Sequence, residues 1–257
     1  SRKKDFNVRA LDLIEAQSGV HRPRTNDNRR TATGVQYNIF DSERYVLTLD
    51  DHRMRDVASS APYDFLEILV NEKQYGGGGI FNDQATACVD SAFAEYVFVH
   101  EFGHHFAALA DEYYTSPVAY TTSGAAEHPE PWEPNATANA AHPKWTVDPD
   151  VPLPTPWDKE EFEKHSHAIQ AERARLRAAN APESEMDKLF TEEREWETKL
   201  LGSQKYAGKV GAFEGAAYEA RGLYRPQIDC IMFTRDEVGF CRVCRRAIER
   251  IIDAYSQ

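Results

Sequence analysis

His100-Glu101-Phe102-Gly103-His104 constrains this chain more than any other stretch. Two histidines four residues apart fall on one face of a helix, where both imidazoles reach a single zinc ion. Neutral imidazole suits Zn²⁺ at about 2.0–2.1 Å, and a catalytic zinc takes three protein ligands, leaving a position for water. Glu101, displaced by one residue from His100, points beside such a metal and not at it. That is the place of a general base, which takes a proton from the activated water and hands it to a leaving amine. The pattern is that of a zinc hydrolase, most often a peptidase.

The 257 residues are ample for a hydrophobic core, so neither metal nor disulfides are needed merely to fold. A formal charge of −12 repels phosphate and argues against a nucleic-acid partner. No apolar run approaches the roughly 18 residues of a membrane span. Ser1-Arg2-Lys3-Lys4 leads directly into structured-looking sequence, so any targeting segment is expected to have been removed or to lie outside these residues. Cys88, Cys230, Cys241 and Cys244 are too few for a disulfide scaffold.

Along the chain, the alternation over residues 6–13 predicts a strand, and Arg22 to Thr33 a loop. Tyr45 to Leu49 reads as a short strand or the start of a helix, and Phe65 to Asn71 as a buried strand. Tyr75-Gly76-Gly77-Gly78-Gly79-Ile80 leaves its backbone open to close approach, and composition alone also allows a flexible hairpin. Asp90 or Ser91 caps a helix through Phe93, Val97, His100 and His104. Pro117 to Pro156 punctuate an irregular segment, 115–156. A charged helical hairpin follows, 158–180 and 183–201, with Glu192 to Glu195 as a solvated face. We read it as an insertion, about 157–203, on a single domain spanning 1–257. From Cys241 to Tyr255 an apolar stripe marks a closing helix; Cys241 and Cys244 begin it as a CxxC.

The third ligand is not fixed by spacing alone. Asp111 returns to nearly the helical face of His100, but about 16 Å along the axis if the helix stayed straight. The chain therefore has to leave the helix after His104 and bend back within residues 107–110. Glu112, Glu214 and His128 stand behind Asp111 as candidates, whereas His105 reads as a packed or solvent-facing histidine.

Together with Leu109-Ala110-Asp111-Glu112-Tyr113 and Cys230-Ile231-Met232, the HExxH stretch resembles the bacterial IgA-peptidase family of zinc metallopeptidases. More broadly it resembles the metzincins, whose helix carries HExxHxxGxxH or HExxHxxGxxD. Residues 70–80, 210–215 and 222–226 share the likeness to the IgA peptidases, which spans nearly the whole chain. Two departures stand out: Ala107 replaces the helix-ending glycine, and Ala110 sits where the third ligand belongs, with the carboxylate one residue later at Asp111.

The resemblance implies an α+β, zincin-like domain with a mixed twisted sheet, the HExxH helix, a methionine turn and a C-terminal helix. It implies Zn²⁺ held by His100, His104 and Asp111, with Met232 forming the floor of the centre. Tyr224 would then serve packing or oxyanion stabilisation. It also implies that Gly77, Gly78 and Gly79 border the cleft and pair with a peptide substrate as an added strand. On that reading, valine replacements lower turnover and spare the zinc.

The function expected is zinc endopeptidase, acting on protein or peptide; the resemblance alone implies that it is secreted, periplasmic or at the cell surface. An inactive metal-stabilised binding module and a zinc amidase for non-peptide amides are the alternatives. An intact Glu101 argues against the first. Reduced packing or a disulfide with Cys230 accounts for the CxxC; a four-cysteine zinc site including Cys88 has no support from spacing. Asn135-Ala136-Thr137 is a glycosylation sequon of consequence only in a secretory eukaryotic setting. Nothing in the residues sets an oligomeric state or a cleavage specificity.

Overall fold

The computed structural model describes residues 2–115, 128–236 and 238–256. They form two compact units, one of residues 1–107 with 248–257, the other of residues 108–247.

In the first unit a three-stranded mixed sheet has the order β1-β3-β2, with β1 Glu67–Val70, β2 Gly77–Ile80 and β3 Gln84–Cys88. Central β3 runs parallel to β1 and antiparallel to β2, and all five of its residues are buried. Its polar side chains are satisfied internally: Gln84 accepts from Thr48 N at 3.1 Å and donates to Thr48 O at 3.0 Å. Thr86 donates to Val46 O. Tyr45 to Leu49 is extended and joins by single bridges, Tyr45 to Gly77 and Leu47 to Gln36. The helix α1, Asp51–Ala58, begins only after Asp50, whose carboxylate accepts from Arg53 N.

Two expectations fail here. Residues 6–13 form no strand; they are exposed chain after a short 3₁₀ turn, with the Phe6 ring set against Phe102 and Phe106. Alternation supplies one apolar face but no pairing partner. β1 is not buried throughout, because it lies at a sheet edge and Leu69 is 62% exposed.

The helix α2, Ala94–Ala107, packs on β2 and β3. Ser91 supplies its N-terminal partners, the hydroxyl accepting from Phe93 N at 3.3 Å and the carbonyl from Ala94 N at 3.1 Å.

The second unit contains the helical hairpin where the sequence places it, α3 Lys159–Ala178 and α4 Glu183–Gly202. Glu193 is a correction: it is 3% exposed and ion-paired to Arg235 at 2.5 Å, because α4 turns that side inward with Phe190 and Glu197. A β-hairpin follows, β4 Phe213–Ala216 and β5 Glu219–Arg225. Buried Arg225 donates to the carbonyls of Glu214, Gly215 and Ile228 and lies 3.7 Å from the Phe233 ring centroid. Described residues 128–156 carry no helix, as their prolines dictate, and bridge to the hairpin through Thr137 and Thr155; Pro117 lies outside the described residues. The closing helix α5, Arg242–Tyr255, starts one residue after Cys241. The class is α+β, and no described helix is long and apolar enough to cross a membrane.

Candidate metal centre

On α2, the four-residue spacing brings His100 Nε2 and His104 Nε2 to 3.1 Å, with ring centroids 4.8 Å apart. A tetrahedral zinc with bonds of about 2.0–2.1 Å would set two such nitrogens about 3.3 Å apart, so the pair fits the ion. Glu101 belongs to the same cluster, its ligand atom within 4.8 Å of those of both histidines. Behind His100, Nδ1 lies 3.2 Å from Tyr96 OH. In the tautomer where Nδ1–H donates to the Tyr96 oxygen, the Nε2 lone pair is the one that would meet a metal. Tyr96 was legible in principle, standing one turn before His100 as His100 does before His104.

Glu67 on β1 is the acid the motif does not announce. Both its carboxylate oxygens are buried without a hydrogen-bond partner. Burial, and then the charge of Glu101, pushes its carboxyl up to about 8. Burial thus favours the neutral acid form of Glu67, which limits the negative charge gathered near Glu101.

His105 is packed and not a candidate ligand. Its Nε2 accepts from Leu66 N at 3.1 Å, so Nδ1 carries the proton and donates to Ile80 O at 3.0 Å. Burial holds this imidazole below its usual range, in keeping with a neutral ring.

The glycine run has a demand of its own. A Cβ on Gly77 would stand 2.5 Å from Val97 Cγ1 and 2.6 Å from Thr86 O. On Gly79 it would stand 2.5 Å from Glu101 O and 2.9 Å from His104 Cβ. Gly78 faces the other way, toward Leu47. Gly77 and Gly79 therefore let β2 lie flush on the helix that carries the histidines. The run is an edge strand and not a flexible hairpin.

The helix stops at Ala107, and Ala108 takes a left-handed conformation with φ 54°. This left-handed residue stands one place past Ala107, the position that glycine holds in the metzincin pattern. Asp111 follows Ala108 by three residues.

In the second unit, Asp111 is 6% exposed and accepts from the Tyr218 hydroxyl. Tyr218 sits in the two-residue β4–β5 turn, where it and Ala217 adopt φ 67° and 48°, costly for residues with a Cβ. The backbone holds this turn in place: Ala217 N donates to Asp111 O at 2.8 Å and Tyr218 N to Tyr113 O at 3.0 Å. No sequence signal could announce Tyr218, 107 residues away. The other third-ligand candidates, like Asp111, have partners within the second unit. Glu112 is fully buried beside Cys244 and Asn135, and Glu214 pairs with Lys159 at 3.4 Å. His128 lies 3.9 Å from Glu219.

Met232 is fully buried in a turn at residues 230–233, where its carbonyl accepts from Glu112 N at 2.8 Å. Tyr224 pairs through its backbone with Thr137. Asn135 is fully buried and uses its amide on Ala110 and Glu112, so the sequon is closed to modification in the folded chain. Cys88 lies in the first unit against the Tyr37 hydroxyl, at 3.1 Å.

No curated protein matches the sequence. The family model described as IgA Peptidase M64 matches residues 1–252, and the chain belongs to that family of metallopeptidases.

Proposed function

We propose that the chain is a zinc-dependent endopeptidase. The observation that carries this reading is the convergence of the His100 and His104 Nε2 atoms to 3.1 Å, with the Glu101 carboxylate in the same cluster. Bound there, zinc would act as a Lewis acid toward the scissile carbonyl and the attacking water. Glu101 takes the proton from that water and delivers it to the departing amine nitrogen. Glu67, protonated, keeps the pair from carrying two charges.

The open edge of β2 supports a peptide as substrate. By the β2–β3 register, Gly77 and Gly79 turn their N–H and C=O groups away from β3. Those of Gly77 are met by Arg44 O and Val46 N, while among the described residues no backbone bond reaches those of Gly79. An extended peptide adding to this edge would pair at Gly79, whose backbone lies against Glu101. Asp111 as third ligand, Met232 beneath the centre and action outside the cytoplasm rest on the sequence resemblance.

Chelation tests the whole reading. Hydrolysis of a casein-like substrate should cease on metal removal and return with stoichiometric zinc; activity that survives chelation overturns it. The third ligand has a separate test. Tyr218→Phe removes the hydroxyl that fixes Asp111 and is expected to weaken zinc retention about tenfold. Unchanged affinity in a zinc-competition titration would remove Asp111 from the set.

A further inference from the structure

Outside the histidine centre, the chain gathers a second group of metal-binding side chains. The Glu112 carboxylate and the Sγ atoms of Cys230, Cys241 and Cys244 lie within 4.8 Å of one another, all in the second unit. None is more than 5% exposed. We propose that these four residues form a closed, structural zinc site.

Geometry is the first support. A zinc about 2.3 Å from each sulfur sets neighbouring sulfurs about 3.8 Å apart, and a carboxylate oxygen about 3.5 Å from sulfur. Cys230 Sγ and Cys244 Sγ are 3.8 Å apart, and Cys244 Sγ lies 3.3 Å from Glu112 Oε1. Those are the edges of a metal tetrahedron.

The polar atoms around the group agree. Cys241 N donates to Cys230 Sγ at 3.2 Å, and Cys244 N to Cys241 Sγ at 3.4 Å. Backbone N–H groups aimed at sulfur favour thiolates. Asn135 Nδ2 donates to Glu112 Oε1 at 3.0 Å and orients the carboxylate, while Oε2 is buried with no hydrogen-bond partner. Fully buried Arg225 acts electrostatically on both Glu112 and Cys230, offsetting the negative charge of such a site.

A disulfide serves this arrangement less well. It would use two of three sulfurs and leave a thiol and an orphaned carboxylate oxygen in the core. Three thiolates and one carboxylate instead match zinc, a borderline-soft ion content with four protein ligands. The site would tie the segment after α2 to the Met232 turn and to the start of α5. Glu112 adjoins Asp111, so this ion would also steady the chain that carries the proposed third ligand of the catalytic centre.

Metal counting decides it. Protein purified under reducing conditions without chelator should hold about two zinc ions per chain by elemental analysis. His100→Ala/His104→Ala should retain one, and Cys241→Ser/Cys244→Ser should lose one. Should the cysteine variant fail to fold, cobalt exchange into the wild type still reads the site, because thiolate-to-cobalt charge transfer absorbs in the near ultraviolet and histidine ligation does not. A single zinc per chain, a cobalt protein without that absorption, or an intact mass short of a pair of hydrogens would each overturn the proposal.

Discussion

Glu101→Gln is expected to lower kcat by about 10²–10⁴-fold, the usual contribution of a positioned general base, with bound zinc unchanged. The substitution keeps the size of the side chain, so the contact with β2 at Gly79 survives and only the basic oxygen is lost. It also removes the negative neighbour that helps hold the proton on Glu67, whose carboxyl should move down from about 8. Kinetics on a peptide substrate and elemental analysis of the same preparation check both halves. A kcat within threefold of wild type would remove Glu101 as the base; loss of zinc would make it a ligand.

Adding one methyl group to Gly79 should be nearly as damaging. Its Cβ would meet Glu101 O at 2.5 Å and His104 Cβ at 2.9 Å, so strand and helix have to part by roughly 1 Å. A displacement of that size at reacting groups costs about 10²-fold in rate. Because the strain falls on His104 itself, Gly79→Ala is expected to lose zinc as well as turnover. Gly78→Ala is the contrast: the nearest atoms its Cβ meets belong to the Leu47 side chain, away from the histidine helix, so bound zinc should stay near wild type. Turnover lost with zinc fully retained in Gly79→Ala would show that the glycines serve the substrate and not the helix packing.

What the sequence disclosed was local and what it concealed was tertiary. Four residues separate His100 from His104, and helical geometry alone predicts their convergence. Charge pattern and Pro182 set the limits of α3 and α4 to within a few residues. Residues 6–13 misled because a two-residue period describes a face without saying whether a neighbour covers it. Glu193 misled because a run of charges reads as solvated unless a distant cation such as Arg235 reaches it. Glu67, Tyr218 and the cluster around Glu112 were invisible for the same reason: each depends on residues brought together only by folding. The glycines show the mixed case. Their backbone openness was legible, but which neighbour fills the vacant side depended on the direction each Cα faces.

The left-handed alanine after α2 bears on how relatives of this chain are found. One more residue of helix swings the outgoing chain by about 100° and advances it by about 1.5 Å. A text search demanding glycine seven places after the first histidine, and a ligand three places later, passes over Ala108 and Asp111 altogether. Here the left-handed residue and the acid stand three places apart, so the pair reads at an offset of one from that pattern.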